Sequence, residues 1–158
     1  MLLYYRKQFP MHTLIKETVI NRPIAEVFDF FSKAENLSKV TPPGMQLNIL
    51  STLPIIIRKG TLIDYKIKVN GIPFKWQTLI SEWEPPFRFI DKQLKGPFNT
   101  WIHEHTFVER DGKTYMKDYV QFKSPGFFLE PLINKLFVEK KVKAIFDYRE
   151  KILTELFK

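Results

Sequence analysis

Residues 99–123 read NTWIHEHTFVERDGKTYMKDYVQFK, and this stretch decides the fold. Asp111-Gly112 at its centre is a two-residue reversal signal, of the kind that takes positive φ at both positions. Such a turn pairs Arg110 with Lys113. It then sets Phe107 opposite Met116, His105 opposite Asp118, His103 opposite Val120 and Trp101 opposite Phe122. Side chains alternate along a strand, so all of these share one face. The other face carries Ile102, Glu104, Thr106, Tyr115, Lys117, Tyr119 and Gln121; being more polar, it is predicted to meet solvent. The aromatic face turns inward, and His103, His105 and Asp118 go with it.

The neighbouring segments extend the same pattern. Residues 12–20 predict a first strand on β-branched content. Asn21-Arg22-Pro23 opens a short helix through about Ser32, with Asn21 as its candidate cap. A second short helix spans Ala34 to Val40, ahead of Pro42-Pro43, and residues 45–51 are a plausible strand. Ile63, Tyr65, Ile67 and Val69 alternate with Asp64, Lys66 and Lys68, and Asn70-Gly71 then signals a tight hairpin. The next strand runs to Glu84, with Phe74, Trp76 and Ile80 on one face, and stops at Pro85-Pro86. In the strand that follows, Phe87, Phe89, Asp91 and Gln93 share a face. Phe87 to Leu94, the hairpin above and the first strand bring the expected sheet to about seven strands.

From Pro131 to Phe157 the period becomes helical. Leu132, Ile133, Leu136, Phe137, Ile145, Phe146, Ile152 and Leu156 form the expected stripe, with Lys135, Glu139, Lys143 and Glu150 opposite. Such a helix is ~40 Å long and needs a large partner surface. The expected class is therefore α+β: a curved antiparallel sheet of about seven strands wrapped around one long C-terminal helix, with two short helices after the first strand. One helix cannot fill such a sheet, so a cavity is expected between them. Residues 1–11 read as an N-terminal extension and 12–158 as a single domain.

Composition narrows the chemistry. The 158-residue chain has no Cys, which excludes disulfides, a cysteine nucleophile and thiolate metal sites. Fifteen Phe, three Trp and six Tyr favour a bulky aromatic interior. The formal charge of +8 has no Arg-rich or zinc-knuckle motif behind it. Its densest run, Glu139 to Lys143, sits in the helical pattern and reads as a solvated face, so no nucleic-acid partner is expected. No apolar stretch is long enough to span a membrane, and MLLYYRKQFP is a poor signal peptide. The expected location is cytoplasmic; peripheral contact with a membrane surface and the oligomeric state stay open. Nucleotide and nucleophilic-hydrolase motifs are absent.

The inward polar residues compete for three readings. In the first, His105 pairs with Asp118 and His103 with Asp91, as satisfied groups of a wall. In the second, Asp91, Gln93, His103, His105 and Asp118 orient a ligand against an apolar wall of Trp76, Phe89, Trp101, Phe107 and Phe122. In the third they do chemistry, as metal ligands or as an acid–base set with His105, Asp118 and His103 as candidates. No longer metal signature accompanies the His-x-His pair, and neither a metal nor a cofactor is expected. Pro42-Pro43-Gly44 reads as a turn on the cavity rim.

Several motifs together resemble the ligand-binding SRPBCC family, START-like helix-grip domains related to polyketide cyclases. They are Thr41-Pro42-Pro43, Trp83-Glu84-Pro85-Pro86, Phe89-x-Asp91-x-Gln93, Gly96-Pro97-Phe98-x-x-Trp101-x-His103-x-His105, Asp118-x-Val120 and Phe146-x-Tyr148-Arg149. The resemblance covers about residues 12–153, and its longest block is specific to one bacterial branch. It implies a sheet gripping a long C-terminal helix around a hydrophobic cavity. Members of the family include lipid and hormone carriers, cyclases, aromatases and chaperone co-activators. The leading expectation is a binder or carrier of a small hydrophobic or amphipathic molecule. Alternatives are a cyclase- or dehydratase-type enzyme using a His–Asp pair, with His105 as base, and a protein-interaction module without a ligand.

Overall fold

The computed structural model describes residues 11–125 and 137–158. Seven strands form one antiparallel sheet: β1 (His12–Ile20), β2 (Asn48–Ile49), β3 (Leu62–Val69), β4 (Ile72–Glu84), β5 (Arg88–Lys95), β6 (Thr100–Arg110) and β7 (Lys113–Lys123). Their spatial order is β1-β7-β6-β5-β4-β3-β2. β1 and β2, consecutive in the chain, lie at opposite edges of the sheet, and three short helical segments connect them. This is the expected helix-grip α+β arrangement.

Both tight hairpins form as the sequence dictates. Asn70 and Gly71 have φ of 52° and 78°, and Asp111 and Gly112 have 51° and 68°. The second turn produces every pair predicted for β6 and β7, from Arg110 with Lys113 to Trp101 with Phe122. Two register shifts in the β4–β5 pair, at Gln77/Thr78 and Ile80/Glu82, bend the sheet toward its concave side.

Helix α1 (Ile24–Phe31) lays Val27 and Phe28 on the sheet. Asn21 does not cap it. The Ile24 N–H donates instead to Glu109 Oε2, 2.8 Å away at the tip of β6. The expected second helix is a shorter 3-10 turn, Ala34–Ser38. The stretch expected as a strand at 45–51 begins inside another, Pro43–Met45, leaving only Asn48–Ile49 paired. Phe87 is 62 % exposed. Its N–H closes a turn onto Glu84 O, so it precedes β5 and does not share the inner face of Phe89.

Helix α2 (Glu139–Leu156) crosses the concave face. Its earlier expected residues, including Leu132, Ile133 and Leu136, lie outside the described residues. The buried stripe is Val142, Phe146, Arg149 and Leu153, spaced four, three and four. This differs from the predicted stripe: Ile145 and Ile152 sit at its edges, and Leu156 is 50 % exposed. The helix is rotated because Arg149, a charged residue, occupies the centre of the packed face. Lys16 fixes the same helix from the sheet edge, with Asp147 at 2.9 Å and Glu150 at 2.5 Å.

Two apolar clusters result. One gathers Ile63, Tyr65, Ile67, Trp76, Ile80, Trp101, Phe122, Val142 and Phe146. The other joins Val27, Phe28, Phe89, Phe107, Met116, Leu153 and Phe157. This packing predicts that Leu153→Ala lowers stability by about 2–5 kcal/mol, whereas Leu156→Ala costs less than about 1 kcal/mol. Urea unfolding of the two variants measures both.

Candidate functional site

Between the two clusters lies a set of charged groups that strand alternation turned inward. Asp118 on β7 is 1 % exposed, and His103 and His105 on β6 are equally enclosed. Asp91 on β5 pairs in register with His103, and 18 % of its side chain is open. The hydrogen bonds run diagonally instead of straight across. His103 Nε2 lies 2.7 Å from Asp118 Oδ1, and His105 Nε2 lies 2.8 Å from Asp91 Oδ2. This exchanges the partners expected from register. The straight-across contacts remain as weaker attractions: His105 Nδ1 is 3.1 Å from Asp118 Oδ1, off line for a hydrogen bond, and His103 Nδ1 is 3.6 Å from Asp91. The two imidazole centroids lie 3.6 Å apart with their planes tilted by 35°, and Phe89 stacks on His105 at 4.0 Å.

Arg149 completes the set, and the sequence-derived site residues do not include it. Its Nη1 lies 3.4 Å from Asp118 Oδ1, and its guanidinium rests over the Phe146 ring at 5.2 Å. Among the described residues its buried Nε has no hydrogen-bond partner. The signal that could have found it is its position seven residues after Val142 and three after Phe146, on an otherwise apolar helical face.

Four groups of opposite charge balance here if the two histidines hold one extra proton between them: two carboxylates against Arg149 and one imidazolium. Burial, and then the neighbouring charge of His105, push the His103 pKa down to about 4. Burial also opposes the charged form of His105, but hydrogen bonding and attraction from Asp118 and Asp91 outweigh it and raise its pKa. Burial likewise works against both carboxylates. Attraction from the positive charge that the histidine pair and Arg149 bring, with the His105 hydrogen bond, nevertheless holds Asp91 low, and the His103 hydrogen bond with the same attraction holds Asp118 low. A proton held by the pair therefore favours His105 over His103. Asp91, His103 and His105 offer donor atoms within 4.8 Å of one another. A divalent cation there would have to displace that proton and stand beside Arg149.

The cluster forms one wall of a cavity of about 760 Å³ between the sheet and α2. That volume suits a small organic ligand, for which ~300–1,000 Å³ is usual. Of the residues singled out from sequence, Trp76, Phe89, Asp91, Trp101, His103 and His105 line it. Phe107, Asp118 and Phe122 are packed behind the wall. Gln93 does not join the polar cluster. Its amide donates to Phe98 O at 2.7 Å and accepts from Phe98 N–H at 3.3 Å. A Cβ on Gly96 would fall 2.3 Å from Gln93 Oε1, so a larger residue there would push the Gln93 side chain from this position. Gln93 thereby fixes Phe98, which packs at 4.7 Å on Trp101 and 5.9 Å on Trp76 in the cavity wall. Thr78 adds a small polar spot, bonded by Trp76 Nε1 at 3.1 Å and Tyr65 at 3.3 Å. Thr41 and Met45 line the cavity beside Pro42-Pro43-Gly44.

A curved sheet, a gripped helix and an aromatic cavity with a buried polar wall define a helix-grip cavity protein. Over residues 20–147 the chain matches the family described as polyketide cyclase / dehydrase and lipid transport, and it belongs to that family. No curated protein is close enough in sequence to match. Among solved structures, the fold is shared with the Zhui aromatase/cyclase from Streptomyces sp. R1128: TM-score 0.73, 14% identity, covering 92% of this chain and 93% of that one. It is also shared with protein CV1439 from Chromobacterium violaceum: TM-score 0.70, 16% identity, covering 92% and 96%. A third is major latex-like protein 151 from Panax ginseng: TM-score 0.64, 10% identity, covering 93% and 97%. No helix among the described residues is long and apolar enough to cross a membrane.

The shifted groups give opposite pH dependences. An unfolded His binds its proton near 6.5, but folded His103 refuses it until about pH 4. The unfolded chain binds more protons in that window, so His103 makes stability fall as pH drops through it. His105, with a raised pKa, contributes stability that is full below about 6.5 and lost as pH rises through its folded value. At about pH 6, imidazole 15N NMR is expected to show one buried ring charged and the other neutral. His103→Gln should flatten the loss of stability between pH 6.5 and 4. Two neutral rings at that pH would refute the charge balance.

Proposed function

We propose that the chain binds, and in that form carries, a small hydrophobic or amphipathic molecule in the cavity between the sheet and α2. The observation that carries this reading is the cavity itself. About 760 Å³ is walled by aromatic and aliphatic side chains, with a compact set of polar groups on one side. Apolar walls supply affinity and a few convergent polar groups supply orientation. Trp76, Phe89 and Trp101 form the apolar contact surface in this reading. Asp91, His103, His105 and the unpartnered Nε of Arg149 face the ligand's inner polar end. The open space weighs against an interaction module with a core filled by side chains.

One observation favours a second reading, an enzyme of cyclase or dehydratase type. Two touching imidazoles with pKa values driven apart form a matched acid and base in a water-poor wall. Neutral His103 would take a proton from carbon beside a carbonyl, and charged His105 would protonate a leaving hydroxyl. This exchanges the role first expected for His105. The Zhui protein, an aromatase/cyclase, shows that the fold accommodates such a function.

Two measurements follow. Trp101→Ala should weaken binding of an uncharged naphthylamine dye by about tenfold or more, because it removes a wall residue worth a few kcal/mol; unchanged affinity would exclude this cavity. Mass spectrometry of organic extracts then separates carrier from enzyme. A carrier yields the same compound from wild type and His105→Gln. A dehydratase yields product from wild type and, from the variant, a precursor heavier by one water.

A further inference from the structure

We infer that the cavity takes an amphipathic anion, with its apolar body inside and its acidic group held at the mouth by Lys68, Lys140 and Lys141. This rests on the binding reading above and specifies its ligand class.

The mouth is defined by the lining residues that reach solvent. They are Lys33, Lys68, Lys140 and Lys141, with Asn70, Pro125 and Phe137. Lys33 is already engaged, 2.6 Å from Asp29. Lys141 reaches across from the start of α2 and donates to the Asn70 side-chain oxygen in the β3–β4 turn. That acceptor is a neutral amide oxygen and no carboxylate. No carboxylate among the described residues pairs with Lys68 or Lys140. Glu139 stands on the same helical turn but does not line the cavity.

The sheet side of the mouth is equally one-sided. No Asp or Glu occurs between Tyr65 and Thr78. Within that hairpin Lys66 sits directly opposite Lys75 on the outer face of the sheet, and Lys68 follows on the same face; of the three, Lys68, two residues before Asn70, lines the cavity. Like charges directly across a ladder destabilise it, so this end of the sheet carries a positive potential at some cost to folding.

Inside the cavity the balance differs. Among the described residues, Asp91 is the one carboxylate lining it, and Asp91 and Asp118 already have His103, His105 and Arg149 as their partners. A ligand anion placed there would add an uncompensated buried charge, which is costly. At the mouth it meets unpaired ammonium groups that remain partly solvated. The inner wall accepts a neutral polar group or none.

The test displaces uncharged N-phenyl-1-naphthylamine with dodecanoate or with dodecanol, at low salt and pH 8. We expect dodecanoate to bind about tenfold more tightly, as two or three partly screened lysines allow. That ratio should fall toward one in the Lys68→Gln/Lys140→Gln/Lys141→Gln variant, and shrink at high salt in wild type. All three lysines are exposed, so the variant should fold. Equal binding of acid and alcohol by wild type overturns the inference and leaves the binding reading standing. An advantage for the acid that survives in the triple variant but vanishes in Arg149→Gln moves the acid to the inner wall, and also overturns it. Failure of dye, acid and alcohol alike overturns the binding reading and this inference together.

Discussion

Asp118 is a carboxylate almost without access to water, and three nitrogen-bearing groups converge on it: His103 at 2.7 Å, His105 at 3.1 Å and Arg149 at 3.4 Å. A buried charge of this kind is tolerated only with such partners, since removing one leaves an uncompensated ion. The histidines arrive by strand register. The arginine arrives only if α2 turns one particular face to β7. Asp118 therefore sets the rotation of the helix as well as anchoring it. Val142, Phe146 and Leu153 are buried because they share the face of Arg149. Lys140 and Lys141 reach the cavity mouth because they begin that same helix.

The cavity follows from what the sheet and helix leave unfilled. Irregularities in the β4–β5 pairing bend the sheet, α1 and Leu153 close one end with aromatic packing, and Gln93 braces Phe98 against the two tryptophans. The remaining space has an apolar body, a charge-neutral inner wall and a cationic rim. These are three different environments along one path. A family that includes cyclases, dehydrases and lipid transport proteins can vary any one of them without altering the frame.

Much of this was legible wherever a two-residue turn fixed a register. Asp111-Gly112 determines which face of β6 and β7 turns inward, and so delivers His103, His105 and Asp118 to one place. Asn70-Gly71 does the same for Ile63, Tyr65 and Ile67 with Trp76. What was not legible depended on rotamers or on helix phase. Alternation puts two histidines beside two aspartates but cannot say that the bonds cross diagonally. The Gly96-Pro97 turn leaves the backbone several options, and only its actual path pulls Gln93 away to Phe98. In α2, apolar residues lie on more than half of the circumference, so Ile145 and Ile152 were as eligible for burial as Val142 and Leu153. Only the charged partner at Asp118 decides between them. The missed Arg149 and the misplaced stripe are thus one error with one cause.

The cavity has a thermodynamic corollary. Its side walls lack the atomic contacts that a packed interior would have, and such gaps lower the stability of the empty fold. An occupant restores those contacts only in the folded chain, so the folding equilibrium is linked by mass action to the occupant's concentration. Melting temperature then becomes a property of the solution as much as of the polypeptide. A preparation stripped of its guest and one that retains it would differ in persistence, in resistance to proteolysis and in abundance inside a cell, though their sequences are identical.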